Sequence, residues 1–148
     1  MSEGKMEKNR VVFSQRKIGG ESPIIINELI EGGLYSSFFG TLDSARIKNA
    51  TDLALELINS SEADLIIIDL TNVDMIDTAI SMHLVQFVKI LSLVGVDVIF
   101  CGIQPIVAQA MVSAGVEISD RLHIVKNLKL ALLVALQRKG MKVIPIES

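Results

Sequence analysis

The feature that most limits the fold is an unbroken aliphatic run, Leu65-Ile66-Ile67-Ile68, which passes directly into the polar stretch Asp69-Leu-Thr-Asn-Val-Asp-Met-Ile-Asp77-Thr78. Four large aliphatic residues in a row leave no polar side, so a strand there must be covered on both faces. A long, very apolar helix is predicted from about Thr78 to Val94, with Gly95 as its C-terminal cap. A strand over Val96–Cys101 and a helix over Pro105–Ala114 follow, the proline sitting in the first turn where its missing N–H costs nothing. Ile118–Val125 holds a short strand, and Leu128–Lys139 is a last helix stopped by Gly140. Apolar strands alternating with helices define an α/β domain with a parallel sheet centre.

Upstream, Pro23-Ile24-Ile25-Ile26 and Leu34–Phe39 flank Glu31-Gly32-Gly33, the pattern of an antiparallel hairpin. Asp43 or Ser44 caps a helix whose apolar positions Ala45, Ile47, Ala50, Leu53, Ala54, Leu57 and Ile58 recur at helical spacing, with Ser60-Ser61 at its end. Residues 1–20 lack sustained periodicity and read as a flexible tail, with a short strand at Val11-Val12-Phe13. Val143-Ile144-Pro145-Ile146 reads as an edge strand or a loose tail. The expected organisation is a tail (1–20), one domain (21–140) and a C-terminal tail (141–148). The domain holds a mixed four- to five-stranded sheet with an N-terminal hairpin and about four helices. A chain of 148 residues suits one such core.

Half of the chain is hydrophobic but only 4% is aromatic and Trp is absent, so the core must be aliphatic. A net charge of -3 gives no electrostatic footprint for nucleic acid. The single cysteine, Cys101, excludes an internal disulfide and fits a reducing cytoplasm. No apolar segment follows the charged residues 1–10, so no signal peptide is expected. The longest apolar stretch, Ile80–Cys101, is interrupted by His83, Gln86, Lys89 and Asp97, which argues against a membrane span. The helices after Thr78 and after Leu128 are apolar nearly all round, which points to self-association or partner binding, with burial inside the domain as the alternative.

Chemically, the Asp69–Thr78 segment stands out. A phosphate on Thr78 would meet the free N–H groups and positive end of the following helix, and would bring roughly 1.5 to 2 negative charges beside Asp77 and near Asp74. Two other readings stay open. Asp77 and Thr78 are also ordinary helix caps, and Asp69 with Asp74 could form a cation or phosphoaspartate site. That site would need an acidic pair after an early strand, where this chain has Glu28 and Thr41-Leu42-Asp43. His83 and His123 have no second ligand at metal spacing, and the lone glycine of Cys101-Gly102-Ile103-Gln104-Pro105 makes no phosphate cradle. With no nucleophile–base pair, metal cluster or nucleotide fingerprint, the expectation is a non-enzyme without cofactor.

The combination of Leu42-Asp43-Ser44-Ala45-Arg46, Asp69–Thr78 and Gly95-Val-Asp-Val-Ile-Phe-Cys-Gly102-Ile-Gln-Pro105 resembles the STAS domain of bacterial anti-sigma factor antagonists, closest to the RsbS/RsbR type of stressosomes. The likeness spans roughly Ile24 to Leu136. It implies that Thr78 is phosphorylated by a partner serine/threonine kinase of the anti-sigma type and reset by a phosphatase. Asp69, Thr71, Asp74 and Asp77 would form the docking loop. It also implies assembly with STAS paralogues or self into multi-copy complexes. Receptor-type members carry a sensory domain before the STAS fold, and about twenty residues precede it here, as in a stand-alone scaffold or a fragment. Scaffold-type members usually place serine at the acceptor position. Many relatives have a threonine where this chain has Cys101, which leaves Ser113 as the candidate second phosphosite. The alternative implied function is a ligand-binding (nucleotide, anion or lipid) or transporter-regulatory STAS module.

Overall fold

A computed structural model describes residues 12–13, 24–116 and 122–147. Six strands form one mixed sheet in sequential order: β1 (Val12–Phe13), β2 (Ile25–Ile30), β3 (Gly33–Thr41), β4 (Leu65–Met75), β5 (Asp97–Cys101) and β6 (Leu122–Val125). β1, β2 and β3 pair antiparallel, whereas β3/β4, β4/β5 and β5/β6 are parallel. The helices are α1 (Ser44–Ser61), α2 (Thr78–Leu93), α3 (Pro105–Ser113) and α4 (Leu128–Arg138). The α/β class, the N-terminal hairpin, the parallel centre and the four helices among the described residues are as the sequence predicts. The two-residue β1 brings the strand count above the expected four or five. Residues 118–121 of the strand expected over Ile118–Val125 lie outside the described residues, as does most of the 1–20 tail. Residues 141–147 carry no strand.

Strand order dictates how the helices are distributed. Each parallel strand is added on the same side of its predecessor, and connections of one hand then place their helices on one face. Thus α1, α2 and α3 cover the face bearing Ile66, Ile68, Leu70, Val98 and Phe100. α4 follows the last strand and folds back over the opposite face, where Ala131 and Ala135 press on Leu65, Ile67, Ile99 and Cys101. The aliphatic run in β4 is therefore unbroken because Ile66 and Ile68 serve one core while Leu65 and Ile67 serve the other. Salt bridges from Arg138 to Asp97 and from Lys139 to Asp64 fix the C-terminal end of α4 to the start of β4 and β5.

The apolar helices divide differently than their composition suggests. α2 buries Ile80, Leu84, Phe87, Val88 and Leu91 within the domain, so most of its apolar surface is spent on its own core. α4 buries only the two alanines, and Leu128, Leu130 and Leu133 stand 37–40% exposed.

Candidate functional site

The polar stretch after Ile68 is mostly strand. The sequence pattern predicts a strand over Leu65–Leu70, yet β4 runs on to Met75, because Phe39, Gly40 and Thr41 at the end of β3 pair with Asn72, Val73 and Met75. β5 stops at Cys101, opposite Asp69. The second half of β4 therefore projects past the sheet as a two-stranded ribbon with β3. Only Ile76 and Asp77 remain as a connection to α2.

Two braces hold this ribbon. Arg46, in the first turn of α1, is buried, and its Nη1 donates to the carbonyls of Phe39 (2.6 Å) and Thr41 (3.1 Å). Asp43 caps that helix by accepting from the Arg46 amide at 2.8 Å, which sets the arginine in place. On the β4 side, Asp69 is only 8% exposed. Its Oδ1 accepts from the Thr71 amide at 2.9 Å and the Thr71 hydroxyl at 2.5 Å. Gln104 donates from Nε2 to the Thr71 carbonyl at 2.8 Å, supplying a bond that β5 is too short to give. Gly102 lies so close that a Cβ there would fall 2.0 Å from Thr71 Oγ1.

Asp69 also sets the electrostatics around it. Burial pushes the Cys101 thiol up to about 12, and the neighbouring Asp69 carboxylate adds to the shift by charge and by hydrogen bonding. Burial likewise raises the Tyr35 phenol, again with Asp69 opposing a second negative charge. A thiol held protonated at neutral pH is a packing group rather than a nucleophile. Cys101 is fully buried, as expected from its place in the strand.

At the helix start, Asp77 accepts from the Ile80 amide at 2.8 Å, and the buried Ser81 hydroxyl donates to the Asp77 carbonyl at 3.0 Å. Thr78 is the first residue of α2; its side chain lies outside the described residues. Asp74, Asp77 and Thr71 are exposed, whereas Asp69 faces inward. Around them Phe39, Met75 and Met82 stand 54, 59 and 57% exposed. The ribbon tip thus offers apolar side chains among acids.

The structure brings Asp69 and Thr71 together and places Asp74 and Asp77 beyond them along the chain. Ser113 does not join them: it ends α3, and the β5-to-α3 connection directs that end back toward the start of the strands. His83 is exposed on α2, and His123 on β6 meets the Arg138 guanidinium. Sequence reasoning missed the contributions of Gly102 and Gln104, and of Phe39 and Met75. The signal for Gly102 was its place directly after the β5 run, one residue past Cys101, which pairs with Asp69.

Comparison with known proteins agrees with this architecture. The STAS domain family model matches residues 27–131, so the chain belongs to the STAS family. The RsbT co-antagonist protein RsbRA of Bacillus subtilis is 25% identical over 151 residues, covering 93% of this chain and 54% of RsbRA. RsbRD of the same organism is 25% identical over 130 residues, 88% of this chain and 45% of its own length. The chain spans about half the length of these relatives. Among solved structures, an RsbS variant of Moorella thermoacetica superposes with a TM-score of 0.64 at 20% identity, covering 78% of this chain and 97% of RsbS. The anti-sigma factor antagonist SpoIIAA in its unphosphorylated form gives 0.63 at 13% identity, with 81% and 99% covered. These structural likenesses establish the fold.

Proposed function

We propose that this STAS domain is a non-enzymatic switch in which a partner serine/threonine kinase of the anti-sigma type phosphorylates Thr78. The relatives' description as RsbT co-antagonists supports an RsbT-type partner. The observation that carries the reading is the place of Thr78 in the chain. It opens α2 directly behind the Asp77 cap, at the end of a ribbon that projects from the sheet. In the reaction the Thr78 hydroxyl oxygen bonds to the γ-phosphorus of ATP, the bond to the β,γ-bridging oxygen breaks, ADP leaves, and the hydroxyl proton passes to a base of the kinase.

Asp74, Asp77 and Thr71 present the docking face, and Asp69 shapes it from inside through Thr71. A new phosphate beside Asp74 and Asp77 raises the local negative charge and weakens a partner held by that face. A phosphatase restores the unmodified state. The exposed leucines of α4 give a surface for assembly with other STAS chains. Among the described residues no helix is long and apolar enough to cross a membrane, and the cytoplasm is the proposed location.

The test is incubation with the anti-sigma-type kinase of the same organism and ATP, followed by phosphosite mapping by mass spectrometry. One phosphate on Thr78, absent from Thr78→Ala, is expected. Equal labelling of Thr78→Ala would refute the assignment.

A further inference from the structure

Asp69 is a carboxylate turned into the protein, 8% exposed, at the point where the sheet ends and the ribbon begins. Taking such a group out of water is costly unless donors meet it, and each donor also fixes where its oxygens point. Oδ1 is held by the amide and hydroxyl of Thr71, at 2.9 and 2.5 Å. Thr71 itself lies in the register shift of the β3/β4 ladder, between the Ser37–Asp69 and Phe39–Asn72 pairs, so the ladder does not fix it. Gln104 holds only its carbonyl. The side chains of Asp69 and Thr71 are thus tied to each other, and a donor from another strand is needed to tie the pair to the sheet.

β3 supplies that donor. Ser37 pairs with Asp69 in the ladder, and Tyr35 pairs with Ile67 two residues earlier. Side chains two apart on a strand share a face, so Tyr35, Ser37 and Asp69 lie together on the side that α4 covers. An aromatic side chain spans the diagonal from one pair to the next, and the Tyr35 phenol hydrogen-bonds both Asp69 and Ser37. An ionised carboxylate only accepts, so the phenol donates to Asp69 and its oxygen is left to accept from the Ser37 hydroxyl. The ring packs against the smaller core beneath α4, which includes Ile67 and Ala131, and the hydroxyl is therefore carried on a fixed arm.

We propose that Tyr35 is a positioning residue for the docking face: its hydroxyl holds the Asp69 carboxylate turned inward, so that Oδ1 stays on Thr71 and Thr71 keeps its place in the ribbon. Tyr35 acts here on the face assigned above to Thr71, Asp74 and Asp77, and its role rests on that reading. Packing under α4 thereby reaches the docking face, from the Tyr35 ring through Asp69 to Thr71.

Tyr35→Phe removes the hydroxyl and keeps the packed ring. In the whole chain it should speed deuterium exchange of the Thr71 amide by about threefold or more, read by NMR, while the amides of Ile66–Ile68 stay as in wild type. With the anti-sigma-type kinase it should raise KM for the chain by about threefold or more and leave kcat for Thr78 labelling within about twofold. Tyr35 is the one tyrosine of the chain and Trp is absent, so the alkaline absorbance titration reads this phenol alone. Its midpoint should lie above the ordinary 10.0 and fall in Asp69→Asn, where the opposing charge is gone. Unchanged Thr71 exchange in Tyr35→Phe, or a midpoint that Asp69→Asn does not move, would overturn the proposal. So would faster exchange with KM unaltered, because the hydroxyl would then shape the ribbon without serving docking. Thr78→Ala labelled as well as wild type would instead refute the switch itself, and the exchange and titration results would still decide whether Tyr35 holds Asp69.

Discussion

Gly102→Ala probes the contact that fastens the ribbon to the sheet. Gly102 has φ +70°, a left-handed conformation that costs an L-residue roughly 1–2 kcal/mol. A Cβ there would lie 2.0 Å from Thr71 Oγ1, 3.0 Å from Asp69 Oδ1 and 3.0 Å from the Thr71 Cα, so rotating the threonine does not relieve it. Overpacking of this kind costs about 1–3 kcal/mol, which gives roughly 2–5 kcal/mol in all. For a chain of this length that corresponds to a fall in Tm on the order of 5–20 °C, measurable by circular dichroism or urea denaturation. Gly95→Ala is the control, since Gly95 has φ +85° but nothing within 4 Å of the added Cβ. It should show the conformational cost alone. If Gly102→Ala is no more destabilising than Gly95→Ala, the close approach to Thr71 is not what that glycine is for.

Further outcomes follow from the same geometry. Asp77→Ala should cost about 0.5–2 kcal/mol through loss of the bond to the Ile80 amide, read in urea melts. Arg46→Met should cost roughly 1.5–3 kcal/mol and loosen the ribbon, because the carbonyls of Phe39 and Thr41 lose a charged donor; hydrogen exchange at Asn72–Met75 reports the loosening. Phe39→Ser and Met75→Ser should change stability by no more than about 0.5 kcal/mol while weakening kinase binding in a pull-down or calorimetric titration, as befits exposed apolar anchors. Cys101 titrates at about 12 when folded against an ordinary 9.0, so its contribution is complete below pH 9 and is lost as pH rises from there toward 12. Wild type should therefore lose stability over pH 9–11 more steeply than Cys101→Ala, and the folded thiol should resist iodoacetamide at pH 8.

The sheet's centre was legible because its signals are local. An aliphatic run without alternation, a Pro at a helix start and a Gly at a helix end each name one element with little ambiguity. β4's true length was not legible, since Thr71–Met75 contains a threonine, an asparagine and an acid, a composition that reads as loop. Its strand conformation is set by the ladder to Phe39–Thr41 and by Arg46, contacts between residues far apart in sequence. The inward turn of Asp69 was hidden for the same reason, because it depends on register with Cys101. Apolar periodicity likewise overstated what α2 leaves exposed. It could not know that Phe87 and Leu91 would find partners inside the domain.

β4 spans two regimes within one strand. Leu65–Asp69 are laddered to β3 on one side and β5 on the other, deep in the sheet, while beyond Leu70 the strand's ladder partner among the described residues is β3 alone. Amides in the first half should exchange with solvent only when the whole domain unfolds, and those in the second half by fraying of the ribbon. A partner can therefore grip, bend or re-register the outer half on a fast timescale while the inner half keeps the domain intact. The strand behaves like a cantilever, clamped at Asp69 and free to deflect at Met75.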